Sequence, residues 1–350
     1  MVRNAESRST AFDEQEPILE VDKTQQDAAA TGHKDNSRKA YYREFRKVLE
    51  NADVVLEILD ARDPIGTRTL QVERMIMDSG VSKRVILVLN KIDLVPKENV
   101  DKWLKYLRNE YPTIAFKAST QNQRRNLGHS SVATDAATED LLKSSECLGA
   151  DMLVSLLKNY CRSVNMKTSI TVGIIGYPNV GKSSVINSLK RSKVCGVGST
   201  PGFTKVAQQI TLDKNIKLLD CPGIVFAQQG QDGRTDAEIA LRNCIKVELL
   251  EDPITPVEVI VARCPTEQLM TMYDVPYFES ANEFLISLAQ KWGKLRKGGI
   301  PDTHLVARTV LNDWNGGKIK FWTEPPAADK SHIGASVVTS WGEALDMNFA

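Results

Sequence analysis

The sequence offers little to a membrane, an oxidising compartment or a bulk electrostatic argument. No apolar run approaches the roughly 20 residues that span a bilayer. The N-terminus lacks the apolar stretch of a signal peptide, so neither a membrane-spanning nor an exported chain is expected. The cysteines Cys147, Cys161, Cys195, Cys221, Cys244 and Cys264 are scattered, with no CxxC pair. That spacing argues against zinc and disulfides and for a reducing compartment. Net charge is only +1, so any case for nucleic acid rests on local patches.

What is there is the composition of a globular chain, 42% hydrophobic and 25% charged over 350 residues, with room for one large domain and a smaller one. Residues 1–35 are polar and weakly patterned, which predicts a disordered segment. A basic, aromatic stretch from Arg38 to Lys47 predicts a helix reaching about Asn51. Apolar runs that do not alternate then predict buried strands at Asp53–Leu59, Arg84–Leu89, Ile114–Lys117 and Ile170–Ile175, with a strand pair at Val206–Leu212 and Ile216–Leu219. Between them, helices are expected at Leu70–Asp78, Asn99–Glu110, within Thr138–Tyr160 and at Ser183–Lys190. This alternation predicts a doubly wound, mostly parallel α/β sheet with ligands at the C-terminal ends of its strands. After Gly223 only helices are expected, at Asp236–Glu248, Pro256–Arg263, Ser280–Lys291 and Thr303–Trp314. The expected organisation is an α/β domain over 36–230, a small all-helical domain over 231–325 and a tail over 326–350.

The motifs lie where those strands end. Gly176-Tyr177-Pro178-Asn179-Val180-Gly181-Lys182-Ser183, followed by Ser184, has the GxxxxGK spacing of a phosphate-binding loop between a strand and a helix. Its glycines let the backbone wrap phosphates, Lys182 reaches the β- and γ-phosphates, and Ser183 suits Mg²⁺. Asn90-Lys91-Ile92-Asp93 reads as the guanine reader. Asp93 can accept from guanine N1–H and the 2-amino group, a donor pair adenine lacks. The Lys91 stem can pack along the base, and Asn90 can tie loops together. Lys117-Ala118-Ser119-Thr120 is a third base-contact loop, with the Ala118 N–H expected on guanine O6. Asp220-Cys221-Pro222-Gly223 fits a DxxG switch, with Asp220 holding Mg²⁺ through water and Gly223 sensing the γ-phosphate. Thr204 is the first choice for the switch-I threonine on Mg²⁺, with Thr200 second. Ile224 stands where a water-orienting Gln is found in Ras-like proteins.

The base reader precedes the phosphate loop, an inverted order. NKID, KAS, GYPNVGKSS, PGFT and DCPG, with Asp60-Ala61-Arg62-Asp63-Pro64 ahead of them, resemble the circularly permuted GTPases of the YlqF/YawG group. KASTQNQRRNLG, NSLKR, Lys297-Gly298-Gly299 and the Asp313–Ile319 stretch resemble the nucleostemin and nucleostemin-like subfamily over about residues 37–325. The resemblance implies a circularly permuted P-loop GTPase domain followed by a small helical domain. It implies a nuclear, largely nucleolar GTPase using GTP/GDP and Mg²⁺ in assembly of the large ribosomal subunit. Its implied partners are the pre-60S particle, rRNA and ribosomal proteins; off the particle a monomer is expected, with no membrane partner. It also implies that Asn179 can coordinate K⁺, adding positive charge near the β–γ bridge. Lys182, Thr204, Gly223 and Asn179 are thus the expected catalytic group. Arg62 could donate charge in cis, although a structural salt bridge is the simpler role. Residues 291–320 carry seven cations against two acids beside Trp292, Trp314, Phe321 and Trp322, an expected RNA face. Two other readings fit the same motifs: a GTP-gated nuclear scaffold with negligible turnover, and an organellar ribosome-assembly GTPase.

Overall fold

The computed structural model describes residues 43–78, 83–163, 169–198, 204, 207–223, 236–242 and 246–326, all within one compact unit. The expectations for 1–35, Arg38, Thr200, the Pro201-Gly202-Phe203 turn, Ile224 and the tail from 327 lie outside those residues.

Residues 43–51 form helix α1. The chain continues through β1 (Val54–Asp60), α2 (Pro64–Thr67), α3 (Leu70–Asp78), β2 (Arg84–Asn90), α4 (Lys97–Leu107), β3 (Thr113–Ala115), α5 (Glu139–Lys143), α6 (Ala150–Ser163), β4 (Ile170–Ile175), α7 (Lys182–Lys190), β5 (Gln208–Asp213) and β6 (Ile216–Asp220). The six strands form one sheet in the order β3-β2-β1-β4-β6-β5, parallel except for the edge strand β5. β1 is buried along its whole length because helices cover both faces, which is why its sequence does not alternate. Leu56, Ile58, Ile86 and Val88 pack with α6 and α7, whereas Val55, Leu59, Leu87 and Leu89 pack with α1 and α4. Each fully buried aliphatic side chain contributes about 1.5–3 kcal/mol relative to exposure.

Connections run outward through β2 and β3, then return across β1 to β4. The strand order therefore reverses between β1 and β4, where open α/β sheets bind ligands. Asp60 pairs in register with Asn90, and Ile174 with Asp220, so the strand ends carrying the motifs share one edge.

The rest is helical: α8 (Asp236–Leu241), α9 (Ile254–Arg263), α10 (Thr266–Tyr273), α11 (Ala281–Lys291) and α12 (Thr303–Asn315). These pack around Val257, Phe284, Leu288, Val310 and Trp314, a core of their own. Two expectations change here. The single helix expected over Asp236–Glu248 is α8 plus a separate 3-10 turn, Val247–Leu249, and α10 was not foreseen. The segment after α12 straps this region to the sheet. Thr323 donates from N and Oγ1 to the Arg62 carbonyl at 2.9 and 3.1 Å, and its own carbonyl accepts from Asn99 Nδ2 and Trp103 Nε1, both at 2.8 Å. Among the described residues no helix is long and apolar enough to cross a membrane.

Candidate nucleotide site

The phosphate loop is anchored from beneath by Tyr177 and Val180, both buried in the core. Gly181 has φ 100°, and a Cβ there would lie 2.3 Å from Asn90 Nδ2, so both backbone and neighbour demand glycine. Asn179 also sits in the left-handed region, at φ 57°. Lys182 begins α7 and is buried, its Nζ held by the Gly176 and Tyr177 carbonyls at 2.9 and 2.5 Å. Little water screens this ammonium, so its pull on an arriving phosphate is strong. Gly223 lies directly against the loop: a Cβ would stand 2.8 Å from Pro178 Cα and 2.9 Å from Lys182 Nζ. Cys221 and Pro222, which join Gly223 to Asp220, are buried, and burial pushes the Cys221 thiol up to about 12.

Ser183, Thr204 and Asp220 converge beside the loop. Ser183 Oγ lies 3.2 Å from Thr204 Oγ1 and donates to Asp220 Oδ2 at 2.9 Å. Asp220 Oδ1 is buried with no hydrogen-bond partner among the described residues. Burial raises the Asp220 carboxyl, against the pull of Ser183 and Lys182. An orphaned carboxylate oxygen beside two hydroxyls is a hard-oxygen donor set that fits Mg²⁺ completed by phosphate and water. Ser184 follows on α7, and its carbonyl accepts from Ser188 Oγ at 2.7 Å.

The base-reading segments meet the phosphate loop through Asn90. Its Nδ2 donates to the Val180 carbonyl at 2.8 Å, and its Oδ1 accepts from Ala118 N at 3.2 Å. Asp93, with Ile92 behind it in the core, stands open to solvent on the 3-10 turn Ile92–Leu94. The Ala118 N–H, expected to face guanine O6, is taken by Asn90, and Ser119 N donates to Ser188 Oγ at 2.9 Å. The O6 contact therefore requires the Asn90 bond to yield. Lys117 is buried beneath this loop, bonded to the Ser144 and Glu146 carbonyls, and burial lowers its pKa.

Sequence reading missed a cluster behind the base reader. Lys91 Nζ donates to Asp60 Oδ2 at 2.9 Å, and Arg62 grips the same carboxylate through Nε and NH2 at 3.0 and 2.7 Å. Burial alone would raise Asp60, but Lys91 and Arg62 hold it well below the usual carboxylate range. Arg62 also donates to the Trp314 carbonyl at 3.2 Å and lies 5.0 Å from the Phe321 ring centre. Its guanidinium is thus committed to structure, as the simpler expectation held. A cleft opens here, lined by Lys91, Pro178, Asn179 and Val180 on one side and by Arg242, Arg263 and Trp314 on the other. The only signal for this cluster was the DARxP segment, whose partners are distant in sequence.

A family model described as "50S ribosome-binding GTPase" matches residues 171–276. Guanine nucleotide-binding protein-like NSN1 of Arabidopsis thaliana is 52% identical over 316 residues, covering 90% of this chain and 54% of that protein. GTPase grn1 of Schizosaccharomyces pombe is 36% identical, over 99% of this chain and 77% of that protein. The chain thus spans about half the length of its Arabidopsis relative. GNP-bound YlqF from T. maritima superposes with a TM-score of 0.50 at 22% identity, over 82% of this chain and 99% of that one, a likeness of fold. Its sheet is therefore that of a circularly permuted GTPase, and the chain belongs to the guanine nucleotide-binding protein-like 3 (nucleostemin-like) family that includes GTPase grn1.

Proposed function

We propose that this chain binds GTP and GDP and hydrolyses GTP slowly, as a nucleolar factor in assembly of the large ribosomal subunit. The observation that carries the reading is Asn90, whose side chain ties the Val180 carbonyl of the phosphate loop to Ala118 of the base-contact loop. It supports one site assembled from motifs in permuted order. Asp93 reads guanine, the 176–184 loop with Lys182 cradles the phosphates, and Gly223 senses the γ-phosphate from beside Pro178. Ser183, Thr204 and Asp220 hold Mg²⁺, which when bound neutralises phosphate charge. Asn179 is the loop residue whose amide oxygen suits K⁺. The DxxG switch lies where the chain passes into the helical region 231–325, so nucleotide state biases a grip on the pre-60S particle, its rRNA and its proteins.

The sequence observation favouring a second reading is Ile224, which leaves the usual water-orienting amide without a counterpart. On that reading the chain is a GTP-gated nuclear scaffold with negligible turnover. GTP turnover with purified pre-60S particles in K⁺ buffer separates the two. Stimulation by the particle supports the enzyme, and a rate unchanged by it supports the scaffold.

A further inference from the structure

Two exposed segments are left unexplained by the nucleotide site. One is the polar excursion at 119–130, between β3 and α6; the other is the turn at 190–194, after α7. Together they carry five cations and no acid. The backbone stitches them into one surface. Lys193 N donates to the Arg124 carbonyl at 2.9 Å, Leu127 N donates to the Arg191 carbonyl at 3.1 Å, and Arg125 pairs with Ser192 as an antiparallel bridge. Each segment is also pinned to α7: Ser119 N donates to Ser188 Oγ, and Asn187 Oδ1 accepts from Val194 N and Cys195 N at 2.9 and 2.8 Å.

Arg124, Arg125, Arg191 and Lys193 stand exposed on this surface. None of the four forms an ion pair among the described residues. The basic stretch of the helical region differs. There Lys291 pairs with Asp274 at 2.5 Å, Arg296 with Asp302 at 2.9 Å and Lys318 with Asp313 at 2.6 Å. Three of the seven cations at 291–320 are therefore held by acids, whereas none of the four at the corner is.

We propose that the corner formed by 119–130 and 190–194 is a contact site for an RNA phosphate backbone. Guanidinium forks match phosphate geometry, and rigid roots lower the entropy lost on binding. Gln121 and Gln123 bond to each other and to the Asn126 and Gly128 backbone, which holds the loop that carries the arginines. An acidic protein partner fits less well. Protein interfaces use Arg together with aromatic anchors, and neither segment holds a Phe, Tyr or Trp. The inference rests on the RNA part of the proposed function and is independent of turnover.

Fluorescence anisotropy with a fluorescein-labelled RNA stem-loop, over a series of KCl concentrations, tests it. An Arg124→Gln, Arg125→Gln double variant should lose about tenfold or more in affinity near physiological salt, and its slope of log K against log salt should fall by about 1.4–1.8. Its thermal midpoint and GTP affinity should match the parent, because both side chains are exposed. A Lys102→Gln, Lys105→Gln control, exposed on α4 across the sheet from α7, should bind RNA nearly as the parent does. Unlabelled RNA should compete far better than poly-glutamate of equal charge. Equal RNA affinity in parent and arginine variant overturns this site and leaves the wider RNA reading standing. Equal competition by poly-glutamate overturns it in favour of an acidic protein partner. No RNA binding by the parent overturns both readings together. Lys193→Gln provides a second variant should the first misfold.

Discussion

Asn90 Nδ2 lies 2.8 Å from the Val180 carbonyl, so the last residue of β2 donates to a phosphate loop 90 residues later in the chain. The same amide accepts from Ala118 through Oδ1. One buried side chain therefore couples three segments that a permuted sequence keeps apart. It also restricts the loop, since any side chain at Gly181 would collide with it.

Asn90→Ala strips the buried Val180 carbonyl of this donor and frees Ala118 from the loop. A buried acceptor left unsatisfied costs about 1–3 kcal/mol, so GTP affinity should fall by about 10- to 100-fold, with a lower thermal midpoint. Nucleotide titration and scanning calorimetry check this. Parent-like affinity would mean that the three segments hold their places without Asn90.

Arg62→Ala should destabilise the junction between sheet and helical region. The substitution removes two bonds to buried Asp60, the bond to the Trp314 carbonyl and the packing over Phe321, which stacks 3.7 Å from Trp314. Breaking a buried pair costs about 3–5 kcal/mol, and the remaining Lys91 partner places this loss at about the lower end. Urea denaturation followed by tryptophan fluorescence measures it. An unchanged midpoint would show that the strap through Thr323 suffices alone.

Glu57 gives the fold a pH dependence. Its carboxyl is fully buried on β1, where Oε1 accepts from Thr69 N and Oγ1 at 2.6 Å. Burial first, and then the neighbouring Glu73, push it up to about 7. The folded state thus keeps a proton that the unfolded chain has lost. Its contribution is complete below the ordinary Glu pKa of about 4.3 and disappears as pH rises through about 7. Glu57→Gln should therefore melt above the parent at about pH 8, by about 1–3 kcal/mol, and near the parent at about pH 4.5. A melting difference independent of pH would contradict a buried, titrating Glu57.

Turnover should depend on K⁺ through Asn179. K⁺ should accelerate single-turnover hydrolysis over Na⁺ by about 10- to 100-fold, if the cation supplies roughly 1.4 to 2.8 kcal/mol to the transition state. Asn179→Ala should flatten that difference more than it weakens GTP binding. Matching parent rates in the two salts, at equal ionic strength, would leave Asn179 as a residue that only shapes the loop.

The motifs were legible because each is local: a strand, a turn and a few side chains within about eight residues. The sheet was legible for a related reason, since burial on both faces leaves a continuous apolar signature on β1, β2 and β4. Contacts that cross the sequence were not. Nothing in Asp60 or Lys91 alone says that they meet, because their pairing depends on β1 and β2 being neighbours in register. α10 escaped for want of length. Its eight residues bury only Leu269 and Tyr273, and its boundaries are a preceding Pro265 and Asp274 at φ 50°. The pairing of Lys291 was not legible either, because its partner Asp274 lies outside the basic stretch at 291–320.

Guanine recognition by Asp93 is the claim on which the nucleotide site depends most directly. Titrating GTP and XTP into the parent and into Asp93→Asn measures it. The carboxylate should favour GTP in the parent, because it accepts from N1–H and the 2-amino group together. The amide should weaken GTP and bring XTP to the fore, since its N–H can donate to the 2-oxo group. Equal GTP affinity in the two proteins, with no gain for XTP, would contradict the assignment of Asn90–Asp93 as the base reader.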